Sequence, residues 1–270
     1  MTERVVMTGA AGGIGTLMRP RLARRGRTLR LLDIAALPHP EPGENVDAVQ
    51  ASVTDLGTLQ DAFEGAAAVI HLGGLSTEAP WERILDTNIH GTYTVLEAAR
   101  RARVPRVILA SSTHAVGFHP RDGVQAPDRL FPRPDTYYGM SKAAGEALGS
   151  LYHDRYGLDV VCIRLGACYD KPLLPRQLAT WLSPDDCARL LEASLTAPAP
   201  GYRVVWGVSA NTRRWFSLDG ARALGYEPQD DAEQYAADVL AGAGGADDVL
   251  DDTYLGGAFC SPELDAEANS

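Results

Sequence analysis

Lysine is nearly missing from this chain: Lys142 and Lys171 are the only two among 25 basic residues. A sequence that writes arginine almost wherever a positive charge will do makes each lysine a position to explain. Base is also outweighed by acid, 25 residues to 35, for a formal charge of −10. No broad basic surface is then available to a phosphate backbone, which excludes nucleic acid as a partner. Cysteine is sparse. Cys162, Cys168, Cys187 and Cys260 form no CxxC pair and the six histidines are scattered, so neither a disulfide framework nor a metal site is expected. No uncharged apolar stretch approaches the roughly 18 to 20 residues of a membrane span. Thr2-Glu3-Arg4 ahead of a short valine strand lacks the apolar core of a secretory signal, so the expectation is a cytoplasmic protein with no membrane partner. Disorder is excluded as well, because 45% hydrophobic against 22% charged positions can build a sizeable core.

What is present alternates between strand and helix. Val5-Val6-Met7, a glycine-rich turn, a helical stretch ending at Gly26, and Leu29 to Asp33 form a βαβ unit. A helix is expected over 55–64, then Ala67 to Leu72 as an apolar strand without alternation, which implies a sheet covered on both faces. Long helices over 81–103 and 135–156 lead into strands at Val107 to Ala110 and Val160 to Arg164. The fold class is therefore α/β: a Rossmann-type doubly wound parallel sheet. Residues 1–166 are read as the dinucleotide-binding domain and 167–270 as a small C-terminal substrate-binding cap packed on it. In the tail beyond Ala241 apolar density is low, although Tyr254, Leu255 and Phe259 can anchor it against a neighbour.

Thr8 to Gly15 carries glycines at the spacing GxxGxxG, with Gly9, Gly12, Gly13, Ile14 and Gly15 between the first strand and the first helix. Glycine lets the backbone turn tightly and approach a pyrophosphate, and the helix start supplies free N–H groups. Asp33 ends the second strand 18 residues after Gly15, where a carboxylate can accept both hydroxyls of an adenosine ribose and repel a 2′-phosphate. The expected cofactor is NAD. Asp55 either binds the adenine amino group or caps the helix that it precedes, or does both.

Tyr138-Gly139-Met140-Ser141-Lys142 puts a phenol and an ammonium on one helix face. An ammonium about 4 Å away, at an effective dielectric near 20, contributes about 4 kcal/mol and would bring a phenol toward neutrality as a base. A compact ammonium also suits the nicotinamide ribose hydroxyls. Ser111-Ser112 closes the Val107 strand at its carboxyl end, where an open α/β sheet places its ligand. A serine hydroxyl there can hydrogen-bond the oxygen that Tyr138 deprotonates.

This triad, the glycine loop, Asp33, Asn88-Ile89-His90-Gly91-Thr92 and Leu224-Gly225-Tyr226-Glu227-Pro228 resemble the extended short-chain dehydrogenase/reductase superfamily over nearly the whole chain. His71 to Ser76, Ala110 to His114, Thr180 to Asp186 and Val205 to Asn211 resemble the uronate dehydrogenases more closely. That resemblance implies oxidation of cyclic galacturonate or glucuronate at C1 to an aldarolactone with NAD as acceptor. It makes Tyr138 the base, Ser112 its partner and Lys142 the ribose-holding cation. It adds Leu72, Gly73 and Asn88 to the cofactor site, and it places Ser76, Thr113, His114 and Arg176 around the sugar, with Arg176 on the carboxylate. The chain departs from the family where asparagine is usual at Thr113 and serine at Ala167, and each change removes a possible contact to a sugar hydroxyl. A nucleotide-sugar epimerase or dehydratase would use the same triad but wants a larger C-terminal lobe. A silent NAD-sensing regulator could dispense with Tyr138 and Lys142. The two long helices are the pair through which this superfamily commonly dimerises, so the resemblance also implies a homo-oligomer.

Overall fold

The structure, a computed structural model, describes residues 3–23, 26–123, 125–242 and 249–264. The first half runs β1 (Glu3–Thr8), α1 (Gly13–Leu22), β2 (Arg27–Asp33), β3 (Val46–Gln50), α2 (Leu56–Phe63) and β4 (Ala68–His71). The long helix expected over 81–103 is built in three pieces: α3 (Trp81–Arg83), a wider π-helical stretch (Ile84–His90) and α4 (Gly91–Arg101). Next come β5 (Arg106–Ser112), α5 (Tyr137–Tyr156), β6 (Asp159–Leu165), the short β7 (Ala167–Cys168), α6 (Gln177–Thr180), the short β8 (Trp181–Leu182) and α7 (Pro184–Thr196). The chain then makes β9 (Tyr202–Gly207), α8 (Asp219–Arg222), α9 (Ala236–Gly242) and α10 (Val249–Thr253).

Seven strands form one parallel sheet in the order β3-β2-β1-β4-β5-β6-β9. Successive residues of each strand point to opposite faces, and both faces are covered, which is why the strands read as unbroken apolar runs. Val5, Met7, Leu29, Leu31, Ile70 and Ile163 pack with Met18 and Leu22 of α1 and Leu190 of α7. Val6, Leu32, Val69, Val107 and Val160 pack on the other side with Phe63 of α2, Leu96 of α4 and Tyr152 of α5. The chain winds outward from β1 in one direction and from β4 in the other, so the carboxyl ends of β1 and β4 border a switch-point crevice.

A division at residue 166 does not follow the sheet. β9 lies beyond it in sequence yet pairs with β6 along six residues. α7 is tied to the first half by the ion pair of buried Arg27 with Glu192, 2.5 Å. Only the smaller pieces, β7, β8, α6 and α8 to α10, gather at the carboxyl end of the sheet. The tail also differs from its expected anchoring against a neighbour: Leu255 is buried in this chain's own core and Phe259 stacks on His114 with ring centres 3.9 Å apart.

Candidate active site

A cleft of about 1390 Å³ opens along the strand ends. Its walls include Gly9, Gly12, Gly13, Ile14 and Gly15 at one end and Arg176, Arg121 and Trp215 at the other. Between them lie Leu72, Ser76, Ser112, Thr113, His114, Tyr138, Lys142 and Ala167. Residues up to about 250 positions apart in sequence, Gly9 and Phe259, thus line one space.

The glycine loop fits a dinucleotide. Gly9 has φ +71°, and a Cβ there would stand 2.5 Å from the Gly73 backbone nitrogen, so the loop after β1 and the loop after β4 meet at a distance that only glycine allows. A Cβ on Gly13 would meet nothing within 4 Å. Gly12 gives α1 no side-chain cap, and its first turn carries no acidic residue. An uncapped helix start with open space before it is what an anionic pyrophosphate requires. Asp33 sits beside this loop and accepts the backbone N–H groups of Ala11 at 2.9 Å and Ala35 at 3.0 Å.

Two sequence-selected residues do structural work. Asp55 is the N-cap of α2, with one carboxylate oxygen accepting the Thr58 N–H at 3.1 Å and the other the Thr58 hydroxyl at 2.6 Å. These bonds hold its carboxyl below the usual range. Asn88, within the π-helical turn, clamps the loop after β4: it accepts the Leu75 N–H at 2.8 Å and donates to the Leu75 carbonyl at 3.1 Å and to Ser141 Oγ at 3.0 Å. It thereby fixes Ser76 relative to α5.

Tyr138 and Lys142 project from the first turns of α5, whose start is held by a Thr136 cap on Gly139 at 3.0 Å. Buried Glu78 holds the same start by accepting the Tyr137 and Tyr138 N–H groups at 3.3 and 2.7 Å. Sequence reasoning missed Glu78, because nothing local ties it to a helix 60 residues away. Ser112, but not Ser111, serves Tyr138. The Ser112 hydroxyl lies beside the phenol and favours its charged form, whereas Ser111 donates to Glu146 at 2.6 Å. That carboxylate is in turn paired with buried Arg164 at 2.8 Å.

The electrostatics differ from the expected cation-lowered phenol. Lys142 Nζ lies 5.5 Å from the centre of the Tyr138 ring and donates to the Ala110 carbonyl at 2.9 Å. Burial raises the Tyr138 phenol, and the nearby Ser112 hydroxyl opposes that rise only in part. Burial also pushes Lys142 down to about 8. Desolvation penalises the charged form of each group and is the largest cause of both shifts. His71 is driven down to about 3, first by burial and then by the Lys142 charge. It is therefore a neutral bridge between Thr8 Oγ1 at 2.8 Å and Thr92 Oγ1 at 3.3 Å.

At the far end of the cleft His114 donates or accepts through Nδ1 with buried Asp135 at 2.7 Å, and its ring meets Tyr138 edge-on at 5.9 Å. Thr113 is buried and Ser76 exposed, both facing the cleft. Arg176 carries its guanidinium 4.9 Å over Trp215 and pairs with Asp251 at 3.1 Å. Asp135, Arg121, Trp215, Asp251 and Phe259 were not selected from sequence. They carry no motif spacing: Arg121, Trp215, Asp251 and Phe259, the last read from sequence only as a tail anchor, are identified by lining the cleft, and Asp135 by its contact with His114. What the arrangement supplies is a buried phenol with a hydroxyl partner, a cation beside it, an anion-binding loop and a guanidinium some distance along the same cleft.

The sequence model of the NAD dependent epimerase/dehydratase family matches residues 5–216. A uronate dehydrogenase of Pseudomonas putida is 42% identical over 258 residues, covering 95% of this chain and 95% of that one. Among solved structures, a uronate dehydrogenase mutant from Agrobacterium tumefaciens complexed with NAD superposes with a TM-score of 0.89 at 38% identity, over 96% of this chain and 97% of that one. A glucuronic acid dehydrogenase from Chromohalobacter salexigens superposes with a TM-score of 0.91 at 39% identity, over 98% and 99% of the two chains.

Proposed function

Because the chain belongs to the NAD dependent epimerase/dehydratase family and, within it, to the uronate dehydrogenases, we propose that it oxidises cyclic hexuronates, galacturonate and glucuronate, at C1 to the aldarolactone. The observation that carries this reading is one cleft walled by Tyr138, Ser112 and Lys142 near the glycine loop and by the Arg176 guanidinium farther along. NAD, held by Gly9 to Gly15 and Asp33, with Leu72 and Gly73 beside it, supplies the hydride acceptor when bound. Tyr138 takes the proton of the anomeric hydroxyl, and Ser112 orients that oxygen. Lys142, with one donor on Ala110, keeps two for the nicotinamide ribose. Since the pyranose ring is already closed, loss of hydride from C1 leaves a lactone directly. Arg176 supplies the two-pronged, charge-assisted contact that fits a carboxylate. A net charge of −10 makes that local cation necessary, because the overall field repels an anionic sugar. Thr113 and Ala167 border the sugar and set the balance between its epimers, and His114 reaches a ring hydroxyl.

The test is NADH formation from galacturonate, glucuronate, galactose and glucose. The uronates should win by at least about 100-fold in kcat/KM, and Arg176→Met should raise the uronate KM by roughly 30- to 100-fold, the loss of a charged hydrogen-bonded contact. Equal rates on the neutral hexoses would sink the carboxylate assignment.

In this reading the enzyme works in the cytosol, where its four free buried thiols stay reduced. It does so as a homo-oligomer built on the outer face of α3 to α5, where Trp81, Leu85, Tyr93, Tyr137 and Tyr156 stand 38 to 48% exposed. Light scattering that returns a monomer at micromolar concentration would overturn the oligomer. Among the described residues, no helix is long and apolar enough to cross a membrane.

A further inference from the structure

The acidic segment over residues 249–264 crosses the substrate end of the cleft as a strap. Its backbone is stitched to the loop after β5: Arg121 N–H donates to the Thr253 carbonyl, Leu255 N–H to His119 and Gly256 N–H to Gly117, each at 2.9 Å. One side chain of the strap, Phe259, stacks on His114. Another, Asp251, accepts from Arg176 Nη1 at 3.1 Å, while Arg176 Nη2 donates to the Leu255 carbonyl of the same strap. Arg121 Nη1 meets the Asp251 carbonyl, and its guanidinium lies 3.7 Å over Trp215, on which Arg176 also rests. Two arginines are thus held close on one indole, and the charge of Arg176 is disfavoured first by burial and, to a lesser degree, by the charge of Arg121. Asp251, less exposed than Asp252 (27% against 76%), is the carboxylate that offsets this repulsion. Gly257, at φ +59°, lets the strap close over the pair, since a Cβ there would run into Asp251 and stand 2.6 Å from Arg176 Nη1.

We propose that Asp251 is a positioning residue for the substrate carboxylate, fixing the Arg176 guanidinium so that its unshared edge faces the cleft. The proposal rests on the uronate reading above. A guanidinium has five N–H donors in a rigid fork. Two go to the strap, which leaves enough for both oxygens of a carboxylate. A long arginine left without that pairing would spread over several rotamers, and the substrate would bear the entropy of collecting them. The strap over residues 249–264 is then part of the specificity apparatus for the anionic end of the sugar, distinct from the chemistry at Tyr138.

The test compares Asp251→Ala and the nearly isosteric Asp251→Asn with the parent enzyme, with folding checked by circular dichroism and thermal melting. The expected result for Asp251→Ala is about a tenfold rise in KM for galacturonate, with kcat within about twofold and the KM for NAD unchanged. Asp251→Asn, which keeps an acceptor oxygen, should fall between. An unchanged KM in Asp251→Ala would overturn the proposal. So would a lowered KM, which would make Asp251 a competitor of the substrate, or parallel losses in kcat and NAD binding, which would make the strap a general scaffold. If the parent enzyme turns over no uronate, it is the functional reading that fails, before either variant is measured.

Discussion

Tyr138→Phe should lower kcat with uronates by at least about 10³-fold while leaving the NAD dissociation constant within about twofold. General-base assistance by a positioned side chain is worth roughly 10² to 10⁴, and the phenol is the one group that joins Ser112, Lys142 and the cleft. The substitution removes a single oxygen from a residue that is 7% exposed, and the ring contact with His114 at 5.9 Å is kept. Stability should therefore change little, so a loss of activity is a loss of chemistry. Because burial raises the Tyr138 phenol, kcat should still be rising with pH above neutrality in the parent enzyme, a limb that the variant lacks. Stopped-flow fluorescence of NADH formation reads both effects. Retention of a tenth or more of parental kcat in Tyr138→Phe would remove the proposed base.

Lys142→Met should move activity and stability in opposite directions. Turnover should fall by about 10²-fold or more, because the cation beside the phenol and the two donors left for the ribose are lost together. Stability measured without NAD at pH 7 should rise, because burial brings the Lys142 pKa from 10.5 down to about 8. The charged form is therefore costlier in the folded chain than in the unfolded one. Each pKa step corresponds to about 1.4 kcal/mol, which makes the cost about 3 kcal/mol, order of magnitude. Below pH 8 both states are protonated and the cost is present in full. Between pH 8 and 10.5 the unfolded chain binds more protons, so stability rises with pH and the cost disappears. The difference between parent and variant should thus shrink across that window, and urea denaturation at pH 7, 9 and 10.5 measures it. A variant less stable than the parent at pH 7 would show that the Ala110 carbonyl and its neighbours compensate the buried charge. A lysine kept in a chain that otherwise writes arginine, at a site where its charge opposes folding, is there for chemistry.

Several parts of this molecule were legible before any coordinates. The doubly wound sheet followed from apolar runs without alternation, because burial on both faces leaves no polar side to write. The glycine loop was legible because a position whose Cβ would stand 2.5 Å from another backbone atom tolerates no side chain, and Asp33 because it ends the strand beside that loop. Tyr138 and Lys142 were legible because four residues is one helical turn. These are local rules, and each acts over fewer than about 25 residues.

The rest depends on distance in sequence. β9 enters the sheet beside β6, although its position past residue 200 pointed to the cap. Asp55 caps α2, one of the two roles its place before that helix allowed, whereas the bracing of Leu75 by Asn88 shows only in the tertiary structure. Most of all, the sign of the Tyr138 shift could not be read from spacing. An i, i+4 relation places two side chains on one face, but how much water either retains is decided by the walls. Those walls come from β5, α5 and a strap at residues 249 to 264. The sequence by itself determined the fold class, the glycine loop and the placing of Tyr138 and Lys142 on one helix face, because periodicity and glycine sterics are short-range. Only the tertiary structure decided the protonation energetics, and only it showed that Arg176 is held by Asp251, because desolvation and ion pairing depend on which distant segments close over a group.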